Sequence, residues 1–121
     1  MKLYLAGPMT GYPEFNFPAF HEGARRLREA GYTVFSPAEK DIDRVGDIFT
    51  GSDGDVHKLE AEHKEFSLRE ALLVDVTYIC KEADGVALLP GWEASKGANA
   101  ERALALALYL KVAPIEVFLG E

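Results

Sequence analysis

Glu101 is the side chain in this sequence best placed to do chemistry. It stands in the first turn of an apolar helix, at the end of the run DGVALLPGWEASKGANAER that spans Asp84 to Arg102. A helix N-terminus offers unpaired N–H groups and a partial positive charge. A carboxylate held there stays ionised, as a nucleophile or an electrostatic stabiliser must. The preceding loop is built of small residues (Ser95, Gly97, Ala98, Asn99), which let a ligand approach the backbone closely. The plainer reading is a carboxylate that only stabilises the helix dipole, worth about 0.3–1 kcal/mol. Spacing by itself leaves both open.

Asp75 is the second candidate. It sits among Leu72, Val76 and Ile79, where a solvated charge gains little. A helix rises about 1.5 Å per residue, so the stretch from Asp75 to Asp84 climbs on the order of 14 Å, roughly the length of the strand that follows. That places Asp75 level with the carboxyl end of the strand, near Glu101. Two carboxylates meeting at one pocket suit glycosidic chemistry, one as nucleophile and one as acid or base. A solvated helix Asp is the alternative.

Ser95, Lys96 and Gly97 supply hydroxyl, ammonium and backbone donors ahead of a helix N-terminus, an arrangement suited to phosphate; an ordinary capping serine has the same spacing. The first loop, AGPMTGYPEFNF, offers Gly7 and Gly11 for close approach and Tyr12, Phe15 and Phe17 for stacking on a base. Its GxxxG spacing is not a dinucleotide fingerprint. Asn16 can bond a ligand or cap the helix that begins at Phe17. His21, His57 and His63 form no metal motif, since His57 and His63 do not share a helical face. No metal and no cofactor is expected. Cys80, the single cysteine, lies in an apolar run and reads as a buried, inert thiol.

These side chains need a frame. Lys2 to Ala6 reads as a first strand stopped by Gly7-Pro8. Phe17, Phe20, Ala24 and Leu27 recur at helical spacing, with Pro18 near the start and Gly31 as the stop. Thr33 to Ser36 reads as a second strand ended by Pro37. Residues 41–66, rich in acids and glycine, read as an irregular acidic insertion: a loop to about Asp55, then a charged helix from about Val56. Leu68, Leu72, Val76, Ile79 and Ala83 mark the core face of a further helix. Val86 to Leu89 reads as the third strand, Gly97 to Leu110 as a helix, and Ala113 to Leu119 as the last strand.

Strand–helix alternation with short apolar strands predicts one domain over residues 1–121. Its fold is a three-layer α/β sandwich of flavodoxin or Rossmann type, with a mostly parallel sheet. In such sheets ligands bind beyond the carboxyl ends of the strands. Three loops leave that edge: Gly7 to Phe17, Pro37 to about Asp55, and Pro90 to Lys96.

Composition narrows the partners. A chain of 121 residues, 48% hydrophobic and 27% charged, has the balance of an ordinary globular domain. Its formal charge of −7 argues against general nucleic-acid binding, which relies on many cationic contacts to phosphate. One small phosphorylated ligand held by local donors remains compatible. Leu3 to Ala6 is too short for a signal-peptide core, and Ala103 to Leu110 too short to span a bilayer. A soluble cytoplasmic protein is expected.

The opening KLYLAGPMTGYPEFNFPAF together with VALLPGWEASKGANAE resembles a phage and bacterial family of small domains. That family is similar to the nucleoside 2-deoxyribosyltransferases and the 2′-deoxynucleoside 5′-monophosphate N-hydrolases. The resemblance covers nearly the whole chain in the order of its parts. It implies that Glu101 is the nucleophile on C1′ of a 2-deoxyribose and that Asp75 handles proton transfer with, or binding of, the departing base. It implies a substrate pocket formed by Gly7, Tyr12, Asn16, Phe17, Ser95, Gly97 and Asn99. Transferases acting on free nucleosides carry an acid six residues before the nucleophile, whereas the monophosphate hydrolases carry a serine there. Ser95 therefore favours a nucleotide. The implied reaction is N-glycosidic cleavage of a 2′-deoxynucleoside 5′-monophosphate. The alternatives are a nucleoside 2-deoxyribosyltransferase, a non-catalytic nucleotide-binding sensor on the same fold, and an interaction module built on the apolar ALALALYL helix. The resemblance further implies a homo-oligomer, a dimer or larger.

Overall fold

In the computed structural model, which describes residues 1–121, the chain forms four parallel strands and six helices. The strands are β1 (Lys2–Ala6), β2 (Thr33–Phe35), β3 (Gly85–Leu88) and β4 (Lys111–Pro114), in the spatial order β2-β1-β3-β4. The helices are α1 (Phe17–Glu29), α2 (Pro37–Val45), α3 (Val56–Glu62), α4 (Leu68–Lys81), α5 (Lys96–Ala107) and α6 (Ile115–Leu119). The fold is a single-domain α/β sandwich. Register pairs Leu3 with Gly85 and Ala6 with Leu88, so β1 and β3 run side by side at the centre.

Strand alternation divides the core in two. Leu3 and Leu5 point into a cluster with Phe17, Phe20 and Ala24 of α1 and with Ile115 and Phe118 of α6. Tyr4 and Ala6 point the other way, into a cluster with Ile79 of α4 and Ala98 and Ala105 of α5. The chain leaves β1 toward β2 and returns across β1 to build β3 and β4. The order reverses between β1 and β3, and the crevice at their carboxyl ends is where such sheets receive ligands.

Four expectations need correction. Residues Pro37–Val45 form α2 rather than loop, because Pro37 serves as a helix start as well as a strand stop, with Glu39 in the first turn and Gly46 ending the helix at φ 83°. Residues Ala113–Leu119 are not one strand. The run stays extended only to Pro114, and Ile115 and Phe118, three apart, bury one face of α6 while Val117 is exposed. A short apolar run does not by itself separate strand from helix. On α4 the buried stripe is Ala71, Asp75 and Ile79, with Leu68 and Leu73 exposed, so the core face is rotated from the Leu68, Leu72, Val76 stripe; apolar residues on both sides of the helix permit either orientation. Cys80 falls on the outer side of that stripe and is exposed.

The 46–55 loop is not loose. Gly11 N donates to Gly54 O at 2.8 Å, Glu14 N to Ser52 O at 2.8 Å, and Gly51 N to Glu14 Oε2 at 2.6 Å. Phe49 is fully buried against Phe15, Phe17 and Phe66. Opposite it, three consecutive non-glycine residues are left-handed: Glu14, Phe15 and Asn16, at φ 56°, 53° and 61°. Each costs roughly 1–2 kcal/mol, and the hydrogen bonds and aromatic packing hold them there.

Candidate active site

Tyr4 lies at the bottom of the site. It is fully buried on β1, its ring stacked on Phe35, whose other neighbour is Tyr78. Its hydroxyl donates to Glu101 Oε2 at 2.6 Å. Glu101 reaches this point because it follows Ala98 by three positions and precedes Ala105 by four, on the buried stripe of α5. Asp75 arrives on the buried stripe of α4, the helix beside α5. A third acid, Asp41, comes from α2 and is paired with Arg44 Nη2 at 3.1 Å. Glu101 is 5% exposed, Asp75 7% and Asp41 5%, the three buried carboxyls of the molecule.

Burial dominates their electrostatics, because water no longer stabilises the anions. It pushes Glu101 up to about 8, opposed by the Tyr4 hydrogen bond and reinforced by the charges of Asp75 and Asp41. It pushes Asp75 up to about 7, with Asp41 adding to the rise and Tyr4 and Arg44 opposing it. Asp41 goes up to about 6, held back by Arg44. The Tyr4 hydroxyl is itself raised well above its ordinary value by burial and then by Glu101 and Asp75, so it is a donor throughout the neutral range. Polar satisfaction is incomplete: Ser36 Oγ, Arg44 Nε and Asp75 Oδ1 are buried with no hydrogen-bond partner. Unpaired buried groups are costly.

Helix α5 begins with Ser95, whose Oγ accepts from Ala98 N at 3.1 Å. The hydroxyl proton remains available for a ligand. A Cβ placed on Gly97 would meet nothing within 4 Å, so the backbone there is open to approach. Asn99 faces back into its own loop, donating to the carbonyls of Trp92, Glu93 and Ser95. Gly7 is required by packing, since a Cβ there would lie 2.8 Å from Leu89 Cβ. Asn16 does not cap α1; its side chain donates to Pro8 O at 3.0 Å. The Tyr12 hydroxyl lies against Gly91 and bridges the first and third loops. Phe17 sits in the core on the α1 side of the sheet, away from Glu101.

The structure thus brings Glu101 and Asp75 together, with Tyr12, Ser95 and Gly97 around the same sheet edge. It gives Gly7, Asn16 and Asn99 backbone-holding contacts. Tyr4 and Asp41 were missed. Tyr4 had a signal, a lone phenol in an aliphatic strand that needs a partner for its hydroxyl. Asp41 lay in a stretch read as loop, so nothing placed it on a buried face.

All three carboxyls are buried. An open cleft of about 400 Å³ lies farther out, between the first loop and the 46–55 segment, lined by Thr10, Gly11, Asp53, Asp55 and His57. No group of three or more His, Cys, Asp or Glu side chains is disposed to hold a metal ion. No helix is long and apolar enough to cross a membrane.

A family model, described as Domain of unknown function (DUF4406), matches residues 1–114. The chain belongs to that family. The matched span runs from β1 to the end of β4 and includes Tyr4, Asp41, Asp75, Ser95 and Glu101, so the whole carboxyl cluster is part of the family domain. No curated protein matches the chain.

Proposed function

We propose that this site cleaves the N-glycosidic bond of a 2′-deoxynucleoside 5′-monophosphate. The observation that carries the reading is that Glu101, bonded to the Tyr4 hydroxyl, and Asp75 are both buried from two neighbouring helices beside the central strands β1 and β3. Glu101 attacks C1′ as the C1′–N bond breaks. The bonding pair leaves with the base, and the Asp75 carboxyl delivers its proton there. Asp75, now ionised, takes a proton from water, whose oxygen displaces Glu101 from C1′. The products are free base and deoxyribose 5-phosphate, with the original anomer restored by two displacements. Glu101 must be ionised and Asp75 protonated at the start. That is the reverse of the free protein, where burial pushes Glu101 up to about 8 and Asp75 to about 7, so bound substrate has to invert the order. The positive charge that develops on C1′ favours the Glu101 anion, and the Tyr4 hydrogen bond favours it too.

Ser95 and Lys96, at the open N-terminus of α5, are the proposed phosphate donors, with no acidic side chain in the Ser95 position to repel it. Tyr12, exposed beside Gly91, is the side chain that can cover a base. A second base in place of water would make the same site a deoxyribosyltransferase. We further propose a homo-oligomer, supported by the exposed Leu73 of α4 and Leu106 of α5.

The test is a panel of deoxynucleotides and deoxynucleosides incubated with the protein, with free base separated by chromatography. Monophosphates are expected to release base faster than the matching nucleosides, and Glu101→Gln to lower release by about 10³-fold or more. Wild-type-like release by Glu101→Gln overturns the mechanism. Tight binding without release or exchange by the wild type moves the assignment to a nucleotide sensor.

A further inference from the structure

The Tyr4 hydroxyl donates to Glu101 Oε2 at 2.6 Å. That bond depends on the aim of the ring behind it, since a hydrogen bond weakens steeply as its donor swings out of line. Parallel register sets Phe35 of β2 directly beside Tyr4 of β1. Their rings stack with centroids 5.5 Å apart and planes 29° from parallel, and Tyr78 of α4 stacks on Phe35 at 4.4 Å and 28°. Tyr4 is fully buried and Phe35 nearly so, which leaves the two inner rings no solvent to tilt into. Tyr78 stands three residues after Asp75, so the helix that buries Asp75 also closes the stack. We propose that Phe35 and Tyr78 are positioning residues of the site, whose stacked rings hold the Tyr4 hydroxyl on Glu101.

The aim matters because the Tyr4 bond favours the Glu101 anion against three opposing influences: burial, and the charges of Asp75 from α4 and Asp41 from α2. The other elements packed on α5 add little. Strand β3 carries no ionisable side chain, Lys111 of β4 lies over the Phe118 ring at 4.8 Å, and Glu93 in the turn before α5 is exposed. Arg102 of α5 itself lies over the Trp92 ring at 5.1 Å. A leucine in place of Phe35 keeps the surroundings apolar but offers no flat face, so the Tyr4 ring gains room to tilt. Phe35 and Tyr78 act through Tyr4 and need no contact with substrate. For its effect on turnover the inference rests on the reading of Glu101 as the attacking carboxylate, and adds to it the device that aims the donor.

The test is a double-mutant cycle on the intact chain, read by carboxyl ¹³C NMR titration of Glu101. Tyr4→Phe removes the donor and is expected to raise the Glu101 midpoint by about one pH unit, tenfold in proton affinity. Phe35→Leu should raise it by about half a unit, roughly threefold, more when Tyr4 is present than in the Tyr4→Phe background. Equal shifts in both backgrounds, or none in either, overturn the proposal, because Phe35 would then act through burial alone. Should Phe35→Leu fail to fold, Tyr78→Leu, at the half-buried outer ring, carries the same cycle. Tyr78→Phe keeps the ring and should hold the wild-type midpoint; a shift as large as that of Tyr78→Leu would assign the effect to the hydroxyl and overturn the stack. With the best monophosphate, the acid limb of kcat should move up together with the midpoint. A coupled midpoint in a protein that releases no base supports the positioning role and sinks the glycosidic reading. Base release with an uncoupled midpoint sinks the positioning role alone.

Discussion

Glu101, Asp75 and Asp41 lie buried, Glu101 bonded to Tyr4 and Asp41 to Arg44, and the stability of the molecule must reflect that. For an acid whose folded value is raised, the folded state binds the proton more tightly than the unfolded chain. Stability therefore falls as pH rises from the unfolded value toward the folded one. For Glu101 the window runs from about 4.5 to about 8, and Asp75 and Asp41 add to it from about 3.8 to about 7 and about 6. Melting temperature is expected to decline across this range. Glu101→Gln should flatten the decline, gaining on the order of a few kcal/mol at pH 8 and nothing near pH 4.5. A parallel pH–Tm curve for the variant would show that Glu101 is not buried as an acid. Stability gained where activity is lost is the mark of a strained functional site. The sequence singled out Glu101 as an ionised first-turn carboxylate, but α5 starts at Lys96, so Glu101 lies in the second turn, where burial raises it to about 8. Asp75 came through a length estimate. Tyr4 and Asp41 escaped because a strand tyrosine usually belongs to the core and the helix under Asp41 was hidden by its own charges.

Elements carry the next level. The start of α5 is both a capped helix end and the proposed phosphate seat, and the two roles separate on mutation. Ser95→Ala removes the bond to Ala98 N, costing about 1 kcal/mol of stability. It should also weaken monophosphate binding by about tenfold or more while leaving nucleoside binding unchanged. Calorimetry with both ligands checks this; an equal loss for both would mean that Ser95 only shapes the helix. The 46–55 segment depends on a different side chain. Phe49→Ala empties a site walled by Phe15, Phe17 and Phe66 and is expected to cost about 3–5 kcal/mol in urea unfolding. A loss below 1 kcal/mol would show that the segment is not anchored by its aromatic plug. Strands β1 to β3 and helices α1, α3, α4 and α5 were legible from periodicity and stops. Helix α2 and the end of the chain were not, because Pro37 and Pro114 each permit two continuations and only packing chooses.

At the scale of the molecule, the two helical layers differ at their surfaces. The layer of α4 and α5 exposes Leu73 at 63% and Tyr109 at 96%, with Leu106 also outward. Such a surface is expected to be covered by a second copy. Light scattering behind size exclusion should return at least twice the mass of 13.3 kDa for one chain, and Leu73→Glu should shift it toward the monomer. A monomeric wild type at tens of micromolar would refute the assembly. The sheet itself offers no other route. Its β4 rim is four residues long, starts at the exposed Lys111 and ends at Pro114, which has no N–H to donate; the β2 rim is only three residues long. A neighbouring strand added to either rim would find too few partners to stay. Both edges are thus too short to favour growth by strand addition, so any assembly of this protein is expected to form through side-chain packing between helices.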